Sequence, residues 1–209
     1  MKINAKKNVF FSVFFLELFS SVYKMAIGSQ PTSQCLSDAD RQAITLYSQE
    51  FIEAARFGEL DDLQIMFQHP RLKELIDYAN LVDTESLTSP LMYASANGYL
   101  DCVEYLVDTV GVSVSHSNQS GNTALHWASL NGHLEVVNFL ILKNSNVFAK
   151  NIFGKTPFDE AFVRDKKDCC ERIAREECRI LKERGDEDED EMRDDDPQNV
   201  RTNIDSIPE

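Results

Sequence analysis

The sequence predicts an all-α solenoid of about four stacked helix-turn-helix units, and three observations predict it. First, a ten-residue string recurs. Ser89-Pro90-Leu91-Met92-Tyr93-Ala94-Ser95-Ala96-Asn97-Gly98 aligns with Thr123-Ala124-Leu125-His126-Trp127-Ala128-Ser129-Leu130-Asn131-Gly132, its Leu, Ala and Gly positions 34 residues apart. A further copy opens at Thr156-Pro157-Phe158-Asp159-Glu160-Ala161, 33 residues after Thr123. Second, these copies open on residue types that cap a helix start, and two of them close on the glycine that ends one. Third, 43% of the 209 residues are hydrophobic, enough for a buried core. A unit of this length cannot bury its own apolar face, so the units must stack.

The elements follow in order. Residues 1–24 carry Lys2, Lys6 and Lys7 ahead of the apolar run Val9 to Leu16, and Ala26-Ile27-Gly28 offers small residues beyond it. Two readings fit: a targeting leader too short to span a membrane, or an upstream extension to a start at Met25. Glu17 interrupts the apolar run and favours the second. Residues 25–44 are a polar segment containing Pro31, with regular structure expected near Asp40 or Arg41. Residues 45–184 form the repeat domain. Its first unit, Ser48 to Gln68, reads as two short helices broken at Gly58, with Phe51, Ile52, Ala54 and Ala55 before the break. Ala54 to Ala94 and Gly58 to Gly98 span 40 residues, so the first interval holds extra residues between Arg71 and Leu87.

In the later units Thr123 and Thr156 are the expected N-caps, and Pro157 suits the first helical turn, where no backbone donor is needed. Gly98 and Gly132 end the first helix of their units in a left-handed conformation. Val136, Val137, Phe139, Leu140 and Leu142 supply the apolar face of a second helix. After Ala161 the fourth unit turns polar through Arg164, Asp165, Lys166, Lys167 and Asp168, as a terminal cap should. A charged helix from Cys169 to Arg184 follows, with Ile173, Ala174, Ile180 and Leu181 as its modest apolar stripe. Residues 185–209 are expected to be a disordered acidic tail, because the like-charge block from Asp186 to Asp196 cannot collapse.

The period, the Thr-Pro or Thr-Ala opening, His126, and the alanine and glycine that follow resemble the ankyrin repeat over Ser48 to Arg184. The third unit, Gly121 to Val137, carries the resemblance best. It implies that His126 ties neighbouring turns together by hydrogen bonds, and that His133 holds a common structural position. It also implies a protein-binding surface on the concave face, made of turn tips and the exposed edge of each first helix. Matched by position, that surface holds Thr88, Ala96 and Asn97 in the second unit. In the third it holds Gln119, Ser120, Asn122, Leu130 and Asn131, and in the fourth Ile152, Phe153, Lys155 and Val163. Ile152 and Phe153 are the most informative: two large apolar residues at a turn tip call for a cover, either a partner or the terminal cap. Trp127 has two readings, core packing or a share in that surface.

Charge and residue chemistry narrow the function. The formal charge is -14, and eleven acids against two arginines from Asp186 to Glu209 hold most of the excess. That sign repels nucleic acid and attracts basic partners, unless the tail serves solubility alone. Cys35, Cys102, Cys169, Cys170 and Cys178 make neither a disulfide framework nor a zinc pattern, and read as small apolar residues in a reducing compartment. There is no nucleophile-elbow context and no phosphate-cradling glycine loop, and the adjacent Asp159 and Glu160 point apart on a helix. The expectation is a non-enzyme with no catalytic residue, metal or cofactor. It is expected to act as a monomer, away from membranes, in the cytoplasm and nucleus.

Four ankyrin units, the Gly121 to Gly132 string, the acidic tail and a length near 200 residues together resemble a narrower family. This is the small fungal ankyrin-repeat chaperone that holds newly made ribosomal protein number three of the small subunit. The resemblance implies a basic client gripped by the concave face, screened by the acidic tail and released where RNA competes for it. The hydrophobic leader departs from that family. The alternatives are an ankyrin scaffold masking a signalling protein or transcription factor, and a secreted or organelle-targeted ankyrin protein.

Overall fold

A computed structural model describes residues 38–69, 73 and 76–185. The leader, the start of the polar segment and the acidic tail lie outside them. Among the described residues eight α-helices run in sequence: α1 (Asp38–Phe57), α2 (Leu60–Gln68), α3 (Pro90–Asn97), α4 (Leu100–Tyr105), α5 (Ala124–Asn131), α6 (Leu134–Leu142), α7 (Pro157–Val163) and α8 (Lys167–Arg184). They pair as four units. The first helices α1, α3, α5 and α7 pack side by side into an inner layer, and α2, α4, α6 and α8 form an outer one. Among the described residues there is no strand beyond an isolated bridge between Ser117 and Thr123.

Local chemistry sets each helix. Ser89 accepts from the backbone of Met92 at the start of α3 and Pro90 fills its first position, while Gly98 ends it at φ 78°. Thr156 and Asp159 cap α7 reciprocally: Asp159 N–H donates to the Thr156 hydroxyl, and Thr156 N–H to the Asp159 carboxylate at 2.8 Å. Pro157 occupies the first position of α7.

The first helix is longer than the apolar stripe from Ser48 suggests. It begins at Asp38 and buries Tyr47 as well as Phe51, Ile52, Ala54 and Ala55. The extra residues of the first interval build a short 3-10 turn, Tyr78–Asn80. Tyr78 packs on Phe51 at 4.7 Å and Phe67 at 5.5 Å, and its hydroxyl donates to the Met66 carbonyl. This aromatic group seals the first unit to the second through Phe67 and Tyr105.

Two expectations are corrected in the outer layer. Leu142 is 74% exposed and Ile141 takes its place in the core, because α6 buries Val136, Val137, Leu140 and Ile141 as one helical face and its last residue falls outside it. In α8 the buried residues are Cys169 and Ile173, and Leu181 is left exposed. One core runs unbroken from Tyr47 to Ile173.

Candidate protein-binding face

Each turn tip is built on one Asx residue. Asn118 Oδ1 accepts from Ser120 and Asn122 N–H, both at 3.0 Å, and Asn151 Oδ1 accepts from Phe153 and Lys155 N–H at 3.0 Å. Asp83 does the same for Glu85 and Ser86 at 2.9 and 2.6 Å. A backbone bond closes each tip: Asp83 to Thr88, Asn118 to Asn122, Asn151 to Lys155. Neighbouring tips are laddered together, with Gln119 N–H donating to Ser86 O and Ile152 N–H to Ser120 O, each at 3.1 Å. The tips therefore form a continuous comb along one edge of the inner layer.

Side chains fix that comb to the helices. His126 is buried, with Thr123 N–H donating to its Nδ1 at 3.1 Å and its Nε2 3.1 Å from the Lys155 carbonyl. His133 Nε2 lies 3.0 Å from the Ala96 carbonyl, which also accepts from Asn131 Nδ2. Asn97 Nδ2 donates to the Arg56 carbonyl. The bonds of His126 Nε2, His133, Asn131 and Asn97 each join one unit to the next and brace the face across units. Burial lowers the His126 pKa, against the opposing pull of the Lys155 carbonyl, and holds the ring neutral.

The predicted residues fall as follows. Gln119, Ile152 and Phe153 stand exposed on the tips, with Ser120 and Asn122 half-buried between them. Ile152 and Phe153 are 67% and 73% exposed, so among the described residues the terminal cap does not cover them. Leu130, Asn131, Ala96, Asn97 and Val163 line the inner-helix edge, and Lys155 reaches toward Glu160 at 3.9 Å. Thr88 is placed differently. It is buried, its hydroxyl 2.6 Å from Ser86 Oγ and its N–H on Asp83, because the second tip is one residue longer and folds inward around that carboxylate. Its place at the tip passes to Leu87, which is 43% exposed. Trp127 is half-buried against the core, as a packing residue.

Sequence reasoning missed two features. Asp83 accepts from Ser86, Thr88, Glu85 and the Tyr93 hydroxyl at 2.9 Å. Burial works to raise its pKa, yet the bonds from Ser86, Tyr93 and Glu85 outweigh burial and hold it at about 2. Phe162 is 70% exposed at the end of α7. The repeat alignment carries the signal for it, since it sets Phe162 beside Ser95 and Ser129.

The remaining chemistry is quiet. Burial raises the thiol pKa of Cys102 to about 11 and raises those of Cys169 and Cys170, so these side chains stay protonated packing groups. Among the described residues no cluster of His, Cys, Asp or Glu has metal-binding geometry, and no helix is long and apolar enough to cross a membrane. What the arrangement offers is a stiff, ridged surface with an apolar tip at one end.

Comparison with known proteins agrees with this geometry. The profile described as ankyrin repeats (3 copies) matches residues 51–151 and 110–184. A putative ankyrin repeat protein of Rickettsia bellii is 30% identical over 74 residues, which cover 35% of this chain and 41% of that protein. Among solved structures, the fold matches the ankyrin chaperone Yar1 in the crystal structure of the yeast ribosomal protein Rps3 in complex with its chaperone Yar1. The two are 32% identical, with a TM-score of 0.57 over 68% of this chain and 95% of that one. The chain belongs to the ankyrin-repeat family, a protein-binding fold.

Proposed function

We propose that this protein is a dedicated chaperone, not an enzyme, that binds and shields a newly made basic ribosomal protein of the small subunit, the counterpart of Rps3. The observation that carries this reading is the similarity to Yar1 over 95% of that chain. Two features of this chain support it. Ile152 and Phe153 form an exposed apolar tip that a partner can desolvate. The eleven acids beyond Gly185 can screen the Lys and Arg of a client destined for RNA.

The mechanism needs no nucleotide. The hydrogen-bonded comb of tips is preorganised, so binding spends little entropy on ordering the receptor. Electrostatic attraction speeds capture, and the client is handed over where ribosomal RNA, a denser polyanion, competes for the same basic surface. The protein would then work as a monomer and follow its client from cytoplasm to nucleus.

The test is calorimetric titration of the chain with yeast Rps3 at low and moderate salt, with and without residues 186–209. The reading expects a one-to-one complex that weakens as salt rises and weakens further without the tail. Absence of binding at micromolar concentration, alongside capture of a neutral or acidic signalling partner that ignores the tail, would leave a general ankyrin scaffold.

A further inference from the structure

The stack ends differently in its two layers. On the outer side α8 runs for 18 residues and displays charge, as a terminal unit needs for solubility. Among the described residues the inner side has no such finish. In register, Phe162 stands where Ser95 and Ser129 stand in the preceding units, and both serines are fully buried while Phe162 is 70% exposed. His126 shows which way that position faces. It reaches forward to the Lys155 carbonyl of the next unit, and Ser129, three residues on, shares its side of the helix. By the same register Asp159 and Phe162 face the end of the stack, where a fifth unit would pack.

The backbone is open at the same place. Ser86 O receives Gln119 N–H and Ser120 O receives Ile152 N–H, but the next acceptor of the ladder, Phe153 O, receives no hydrogen bond from the described residues. Phe162 stacks on Phe158 with ring centroids 6.2 Å apart, so the two rings form one apolar surface. Acidic groups border it: Asp159 lies close enough to Glu177 that, after burial, its charge is what raises the Glu177 pKa. A second copy of this chain suits that border poorly. Each chain carries -14, and the acidic run begins two residues after α8 ends.

We propose that the C-terminal end of the inner layer is a second docking site, which takes an extended basic segment of the client as a fifth rung on the comb. Its backbone N–H bonds to Phe153 O, an apolar side chain covers Phe162, and Lys or Arg side chains face Asp159 and Glu177. The proposal rests on the client reading above.

The experiment uses the full chain and yeast Rps3. Affinity is measured by calorimetric titration for the wild type and for Phe162→Ser, Ile152→Ser and Glu177→Gln, with thermal melts to establish that each variant folds. Phe162→Ser should weaken binding about tenfold or more, as for a buried aromatic anchor. Glu177→Gln should make the affinity less sensitive to salt. Binding of Rps3 by Phe162→Ser as tight as by wild type would overturn the docking site and leave the client reading standing, with Ile152→Ser reporting separately on the apolar tip. No binding of Rps3 by the wild type would overturn the client reading and this site with it. A wild-type homodimer in sedimentation that Phe162→Ser dissociates would assign the end to a second copy and overturn the proposal.

Discussion

His126 Nε2 lies 3.1 Å from the carbonyl oxygen of Lys155, and that single bond joins the first helix of the third unit to the turn tip of the fourth. The tautomer follows from the other nitrogen. Thr123 N–H donates to Nδ1, which must therefore be bare, and Nε2–H is the donor to Lys155.

Replacement of His126 by alanine therefore opens a cavity in the stack and orphans the Thr123 N–H and the Lys155 carbonyl together. A loss of about 2–4 kcal/mol is expected in urea unfolding. The ring also predicts a pH dependence. Its folded-state pKa lies below its unfolded value of about 6.5, so its contribution is complete above that pH and declines as pH falls toward the folded value. His126→Gln should flatten that part of the stability profile.

Asp83 predicts a second, separate acid limb. Its carboxyl is held at about 2 against an ordinary 3.8. The stabilisation is present above the unfolded value and is lost as pH falls through the folded one, a window from about 4 down to about 2. Discounted for partial exposure, it is worth about 1–2 kcal/mol. Asp83→Asn keeps an acceptor for Glu85 and Ser86, as Asn118 and Asn151 do for their own tips, but loses the charge. It should be less stable than wild type at pH 7 and converge with it near pH 2.

Two glycines with the same backbone geometry should respond differently to alanine. Gly98 and Gly132 end α3 and α5 at φ 78° and 83°. Both pay the left-handed penalty of about 1 kcal/mol. A Cβ at Gly98 would also collide with the His133 ring, which is fixed on the Ala96 carbonyl, whereas one at Gly132 meets only the flexible Lys166 side chain at 2.6 Å. Gly98→Ala should therefore cost more than Gly132→Ala in chemical denaturation, and the gap should close in a His133→Ala background.

The repeat architecture was legible because its punctuation is local. Ser89, Thr156, Pro157, Gly98 and Gly132 act through the backbone within a few residues of themselves, and each does what its type implies. The positions that misled depend on neighbours. Thr88 sits at a tip position by alignment, but one extra residue lets Asp83 pull it inward, a tertiary outcome with no local signature. Leu142 and Ile141 are chemically alike, so which one faces the core depends on the helix phase. The exposure of Phe162 follows from its unit being the last of the inner layer among the described residues. On the tips where the Asx turn kept its standard length, register placed Gln119, Ile152 and Phe153 at exposed positions and Ser120, Asn122 and Lys155 at half-buried ones.

The buried serines supply the last test. Ser95 and Ser129 are fully buried, and their hydroxyls have no hydrogen-bond partner among the described residues. A buried hydroxyl left unpaired costs free energy that a methyl group does not. Alanine at either position keeps the helix, improves its propensity and leaves a void of only one oxygen. Ser95→Ala and Ser129→Ala should each leave stability unchanged or raise it by up to about 1 kcal/mol in urea unfolding, reversing the usual sign for a core substitution. A clear loss in either variant would instead reveal a buried water or a rotated hydroxyl bonded to the helix, and such a bond would make these serines part of what holds adjacent units together.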